Sequence, residues 1–450
     1  MRVKPFLLII LLGISFCFAE PASANTSPEV FARLAVSENV SESVPAISRL
    51  RAMGPAGLRV LFDVYKDEIE RHALDSSASQ AATPEWQRLA AALDAVSQQR
   101  DSYTSGLYWH TDIEQAKAEA RKSGKPILSL RLLGKLTDEF SCANSRFFRT
   151  ALYSNRAVSA YLRDHFILHW KTVRPVPRVT IDYGDGRKLE RTLTGNSIHY
   201  ILDAEGRPLD ALPGLYGPAA FMRGLAQAEA ISREIAGQGQ EQRTNILRRY
   251  HQARIDVTAS DWLADTKKIG GQVPAIIAAR TSGDPDSPSA AEAGARAVTK
   301  VVTEASIITG ITADAVELAA VTDDKAWNKI AGLHAGDARL DENSIALIRR
   351  QTPYLSETEA GTGKSKVAPQ DQLSRIVQNF ERYMALDTVR NEYMLRTKLH
   401  AWLNLQPGRD LDSLNEKVYA ELFLTPSSDP WLGLFSPDTY TALENGGIVK

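Results

Sequence analysis

The chain of 450 residues contains two cysteines, Cys17 and Cys142. Cys17 falls in an N-terminal stretch of the kind that export removes, so the mature chain is expected to fold without an internal disulfide. Burial of apolar surface, not crosslinking, must then hold it together. The export signal is composite: Met1-Arg2-Val3-Lys4 is basic, Phe6 to Phe18 is apolar, and Ala22-Ser23-Ala24 fits the small-x-small cleavage rule. Cleavage after Ala24 is expected, with Asn25 as the first mature residue and the periplasm or the exterior as destination. The apolar run falls short of the roughly 20 residues that a spanning helix needs. Nothing later in the chain is apolar enough to span a bilayer either. A retained single thiol is unusual in an oxidising compartment, which favours paired cysteines.

Lys plus Arg (53) and Asp plus Glu (54) almost cancel, so no strong field draws nucleic acid or anionic lipid to this protein. The length beyond residue 24 allows two or three domains, and the patterning divides it accordingly. Residues 25 to 103 read as a helical N-terminal domain. Ser27-Pro28-Glu29 starts a helix, with Ser27 as cap and Pro28 at the first helical position. Val44, Ile47 and Leu50 follow at helical spacing, Gly54-Pro55 interrupts, and Leu58, Leu61, Phe62, Tyr65 and Ile69 mark the next apolar face. This helix-Gly-Pro-helix pattern is similar to one unit of a HEAT-like repeat, which cannot bury its face alone. Asp75 to Ala82 reads as a surface loop, and Thr83-Pro84-Glu85 starts another helix.

Residues 104 to 238 alternate helix and strand. Thr111-Asp112-Ile113-Glu114 is a capping box, its helix ends at Ser123-Gly124, and Lys125-Pro126 leads into a strand from Ile127 to Leu133. A helix is expected from Ser141, a short one around Val158 to Leu162, then a strand from Phe166 to Trp170. Arg178 to Leu193 reads as a hairpin turned at Gly184-Asp185-Gly186. Ser197 to Asp203 is a further strand, and Leu215 to Ala236 closes the region as a helix. Residues 239 to 450 are helical by pattern, with linkers near 282–288 and 356–369. The apolar, proline-broken stretch from Leu422 to Leu434 reads as a strap laid over a core. The fold class expected from all this is α+β and multidomain, an α/β centre flanked by two helical regions.

In order, Tyr108-Trp109, the Ala/Lys/Glu helix, Gly124-Lys125-Pro126-Ile127-Leu128, Cys142-x-x-Ser145, the strand near Phe166 and Ile201-Leu202-Asp203-Ala204-Glu205-Gly206 resemble the thioredoxin-like superfamily over residues 107 to 232. The resemblance implies a four-stranded layer flanked by helices, with Cys142 where a helix leaves that sheet. It also implies a site made of Cys142, Ser145, Arg146 and Ser197. The family's second thiol is replaced by Ser145, which closes the dithiol route. The family's cis-proline position falls on Ser197, and a cis bond there would cost about 2.5 to 4 kcal/mol, so a trans bond is expected. Gly134 to Phe140 is longer than the family's usual loop and reads as a lid or as a displacement of Cys142.

A thiol in the first turn of a helix meets unsatisfied N–H groups that favour thiolate. Arg146 would add to this, and Asp138 and Glu139 would oppose it. Two functions follow. One is monothiol exchange with protein or small thiols; the other is a non-catalytic binding or scaffold protein of the cell envelope, with Cys142 a small buried hydrophobe beside Phe140, Phe147 and Phe148.

Other chemistries are weaker. Cys142, His169 and His199 would make a zinc or copper set if the two histidines lay on adjacent strands, yet no local ligand spacing supports it, and neither metal nor cofactor is expected. Gly361-Thr362-Gly363-Lys364-Ser365 lacks the leading glycine of a phosphate loop, having Thr358 in its place, and no strand precedes it. Glu392, Arg396 and His400 share one helical stripe and read as a surface ion-pair ladder, with a polar site facing the neighbouring domain as the alternative. Nucleic acid is not an expected partner.

Overall fold

The computed structural model of the protein describes residues 27–74, 83–193, 196–270, 324–352 and 369–430. The expected signal peptide, the loop from Asp75 to Ala82, both linkers and the end of the strap beyond Pro430 lie outside these residues.

The N-terminal helices are α1 (Pro28–Ala35), α2 (Val40–Ala52), α3 (Pro55–Val64), α4 (Lys66–Leu74) and α5 (Pro84–Ser97). Ser27 stands at the cap of α1 but its hydroxyl makes no capping hydrogen bond. The apolar face read as one helix from Leu58 to Ile69 is broken at Tyr65, between α3 and α4. Gly57 lets α3 cross α2 at close range, since a Cβ there would lie 2.0 Å from the Leu50 carbonyl oxygen. Leu50, Leu61, Leu89 and Leu93 are fully or almost fully buried in a core that belongs to these helices and to Tyr108.

The next 130 residues build a mixed five-stranded sheet from β1 (Trp109–His110), β2 (Ile127–Leu133), β3 (Ile167–Arg174), β6 (Ser197–Leu202) and β7 (Pro208–Pro213). Their spatial order is β1-β3-β2-β6-β7. The first three strands run parallel, whereas β6 is antiparallel to β2 and β7 to β6. Helix α6 (Ile113–Ser123) connects β1 to β2, and its cap is Asp112, not Thr111: the Asp112 carboxylate accepts the Glu114 N–H. The sheet is followed by α9 (Pro218–Ile235) and α10 (Gln240–Lys268). Strand β7 was not foreseen, because Pro208 and Pro213 at its ends disguise it as a loop; both sit at termini of an edge strand, where a missing N–H is tolerated.

Strand alternation gives the sheet two unlike faces. One carries Leu128, Leu130, Leu132, Leu168, Ser197, His199 and Ile201. The other carries Ser129, Arg131, His169, Lys171 and Tyr200, as the registers Ser129 to His169, Arg131 to Lys171 and Ser129 to Tyr200 require. Helices α7 (Ala143–Phe147), its π-helical continuation Phe148–Tyr153 and α9 cover the leucine face, with Phe148 and Phe221 against the His199 ring.

Between β3 and β6 the described residues form no helix. They make the separate hairpin β4 (Arg178–Asp182) and β5 (Lys188–Thr192), which does not join the main sheet. The polar face is covered by α6 on its β1–β3 side and, from the far end of the chain, by the helix Leu411–Lys417 and its π-helical extension Val418–Leu422. There the Tyr200 hydroxyl lies 3.4 Å from Asn415 and the Arg131 guanidinium 3.2 Å from Asp412. Residues of the sheet and of the C-terminal helices therefore belong to one continuous hydrophobic core.

The Glu392, Arg396 and His400 stripe is not a surface ladder. Arg396 and His400 are 3% and 1% exposed. The Arg396 guanidinium reaches Asp210 of β7 at 2.7 Å and Glu392 at 3.1 Å, while His400 meets His251 of α10 with their Nδ1 atoms 3.0 Å apart. The ladder reading fails because the stripe faces a buried carboxylate on the sheet, which sequence spacing alone does not reveal. Burial alone would raise the Asp210 carboxyl, but the Arg396 charge and the Tyr250 hydroxyl outweigh it and hold the group well below the usual carboxylate range.

Candidate active site around Cys142

Strand β2 ends at Leu133, and Gly134 (φ 76°) turns the chain away. The loop then returns so that the Cys142 N–H donates to the Leu133 carbonyl at 3.1 Å. Arg149, 4% exposed, holds this loop by donating to the carbonyls of Leu136 at 3.2 Å and Asp138 at 2.9 Å. Burial pushes its guanidinium down to about 10. The loop from Gly134 to Phe140 is thus pinned from beneath, which speaks against its serving as a hinged lid.

Cys142 is the N-cap residue of α7. Its Sγ lies 2.9 Å from the Ser197 Oγ, 3.4 Å from the Ser145 Oγ and 3.8 Å from the Asn196 carbonyl oxygen. Three of the four residues expected to form the site, Cys142, Ser145 and Ser197, are therefore together. The Ser145 hydroxyl also donates to the Cys142 carbonyl at 2.8 Å, one turn back along the helix. The bond before Ser197 is trans, as expected.

Arg146 makes no hydrogen bond to the thiol. Its guanidinium donates to Thr192 of the hairpin at 3.0 Å, yet it stays near enough to interact with Cys142 through charge. Partial burial lowers its pKa; Cys142 opposes that shift and Arg191 adds to it. Of the acids expected to oppose a thiolate, Glu139 is turned outward to Arg100 at 3.5 Å.

Cys142 is fully buried, with no exposed surface. The C-terminal helix and the strap that follows it, which sequence reasoning placed over a core without saying which, reach this site through Asn196, whose carbonyl lies 3.8 Å from the sulfur. The Tyr419 hydroxyl donates to the Asn196 carbonyl at 3.1 Å, and the Asn196 amide donates to Thr425 at 3.1 Å and to the Phe423 carbonyl at 3.4 Å. Arg174 of β3 fastens the same strap through the carbonyls of Thr425 and Pro426. Asn196, Tyr419 and Thr425 were missed as site residues. The signal that pointed towards them was the apolar run Leu422-Phe423-Leu424 following a helical pattern, which needs something to cover.

His199 lies behind the thiol, with the Tyr153 hydroxyl 2.7 Å from its Nε2. Burial pushes its imidazole down to about 3, so it is neutral. His169 sits across β2 on the opposite face, with Ser129 Oγ 2.9 Å from its Nδ1, and burial followed by the charges of Arg131, His110 and Lys171 pushes it to about 3 as well. The two histidines are on strands separated by β2, so the Cys142, His169 and His199 metal set cannot converge. Among the described residues no group of three His, Cys, Asp or Glu side chains is placed to hold a metal ion. No family model, curated protein or solved structure matches this chain.

A hydroxyl-lined sulfur with no route to solvent has restricted chemistry. It can fill space and exchange a hydrogen bond with Ser197. It cannot meet a disulfide in this buried state.

Proposed function

We propose that this protein is an exported, non-catalytic binding or scaffold protein, built on a thioredoxin-like core in which the remaining thiol has become structural. The five-stranded layer flanked by helices, and the position of Cys142 at the mouth of α7, support the thioredoxin-like reading. The observation that carries the functional half is the complete burial of Cys142, beside Asn196, which Tyr419 and Thr425 fasten. A structural cysteine of this kind is inert, whereas exchange requires an accessible thiolate. Ser145 in the second position removes the resolving thiol, so even an uncovered Cys142 would stop at the mixed disulfide. Export rests on the N-terminal sequence features, and among the described residues no helix is long and apolar enough to cross a membrane.

Iodoacetamide labelling of the folded protein tests this. Cys142 is expected to react only as the protein unfolds, with a labelling midpoint that follows the urea transition. Fast labelling of the native protein would overturn the scaffold reading and reinstate monothiol exchange.

A further inference from the structure

On the face of the sheet away from Cys142, a cleft of about 530 Å³ opens between the start of α6, the β6–β7 turn and the loop Gly408–Asp412. That volume suits a small molecule. Its floor is made by Arg131, His169 and Lys171, three neighbouring positions on β2 and β3.

Arg131 is the informative residue. Its side chain is only 4% exposed, and a guanidinium removed from water to that degree normally has its N–H groups paired. Here one nitrogen reaches Asp412, while Nε and Nη1 have no partner. Nor is Asp412 a dedicated counter-ion. It is 66% exposed and is shared with Lys171, whose ammonium lies 3.2 Å from its other oxygen.

The remaining acids at the cleft are occupied. Asp112 accepts the Glu114 N–H at the cap of α6, Asp410 accepts the Ser413 N–H and hydroxyl, and Glu205 pairs with Arg207 at 3.1 Å. Arg409, also on the rim, makes no ion pair among the described residues. The charged side chains lining the cleft are Lys117, Arg131, Lys171, Arg207 and Arg409 against Asp112, Glu205, Asp410 and Asp412, five positive against four negative, and at the floor Arg131 and Lys171 share the one carboxylate of Asp412. The neutral imidazole of His169 beside them adds hydrogen-bonding capacity without further charge.

We infer that this cleft binds a small anionic molecule through an oxyanion group, a carboxylate or a phosphate, seated on Arg131 and Lys171 in competition with Asp412. Guanidinium and ammonium groups recognise both anions, the former through its planar fork. The cleft lies on the opposite side of the sheet from the thiol, so the inference goes beyond the scaffold reading and fails or survives separately from it.

Calorimetric titration of the full chain at low chloride, with citrate, pyrophosphate and inorganic phosphate as probes, provides the test. Saturable one-to-one binding of at least one probe is expected; preference for citrate would assign a carboxylate ligand, and preference for the phosphates a phosphorylated one. Lys171→Ala should weaken binding about fivefold, the equivalent of a single exposed charge contact. Asp412→Asn, which removes the competitor, should tighten it by about tenfold. Lys171 and Asp412 are exposed enough for both variants to fold, which a melting curve without probe would check. Arg131→Met should abolish binding; if it fails to fold, the two surface variants decide. Absence of saturable binding to all three probes in both wild type and Asp412→Asn would overturn the inference. Equal affinities of wild type, Lys171→Ala and Asp412→Asn would also overturn it.

Discussion

The two faces of the sheet are made from the same strands yet finished in opposite ways. The leucine face is closed by α7, its extension and α9, all beginning within 85 residues of the end of β2, and each of its polar side chains has a partner, Cys142 in Ser197 and His199 in Tyr153, with the His199 Nδ1 alone left over. The other face contains Ser129, Arg131, His169 and Lys171; it has only the crossover helix α6 over its β1–β3 side, and the remainder is roofed by residues beyond position 410. Its polar groups are left partly unmatched. Unpaired buried donors are costly. The comparison teaches that the face holding the thiol is the more fully matched one, and the face where Arg131 keeps two unpaired nitrogens is where recognition has room.

Substitutions can break this contrast, beginning with the largest. Leu130→Ala on the closed face should cost about 3 to 4 kcal/mol in urea unfolding, because a fully buried leucine leaves a cavity. Ser129→Ala next to it, which removes only the hydroxyl beside His169, should cost about 1 kcal/mol. Equal costs would mean that the two faces are packed alike. Tyr419→Ala should cost about 3 kcal/mol and should also make Cys142 react with iodoacetamide in the native state. If the thiol stays protected in that variant, the strap is not what seals it.

Acid should sharpen the picture on both faces. His169 and His199 are pushed from the ordinary 6.5 to about 3 when folded, so the unfolded chain takes up their protons first as pH falls. Their contribution is complete above pH 6.5 and is lost progressively towards pH 3, at about 1.4 kcal/mol per pH unit for each histidine in the middle of the window. His199→Phe should flatten the pH dependence of the unfolding free energy by one proton's share. An unchanged slope would show that His199 titrates normally. Smaller again, Cys142→Ala should cost about 1 to 2 kcal/mol without changing the helix content measured by circular dichroism. Smallest is Lys171→Ala, a half-exposed ion pair whose loss should cost less than about 0.5 kcal/mol in chemical denaturation.

How far these faces could be read in advance depended on distance along the chain. Strand β2, from Ile127 to Leu133, and the hairpin around Gly184-Asp185-Gly186 were legible because each is set by local alternation and a turn signal. Cys142 at a helix start, with Ser145 and Ser197 beside it, followed from motif order. Arg146 followed in part: it interacts with Cys142 through charge, but sequence could not tell that its hydrogen bond goes to Thr192 of the hairpin. Burial of Arg396 and His400 was invisible because their counterpart, Asp210, lies 186 residues from Arg396 in sequence. The polar floor of the cleft was in plain view as Ser129, Arg131, His169 and Lys171 at alternate positions. Reading it requires knowing that β2 and β3 are neighbours in register, which only the assembled sheet supplies.

The roof over the Arg131 face has a consequence for how the molecule comes into being. Arg131 and Asp412 are separated by 281 residues. During vectorial synthesis, the sheet must wait for nearly the whole chain to emerge before its second side is fully closed, and contacts of such long sequence separation form slowly. Until then Tyr200 and Arg131 stand without Asn415 and Asp412. A prematurely terminated product would carry those groups bare, a ready mark by which quality-control proteases and chaperones could tell an unfinished chain from a finished one.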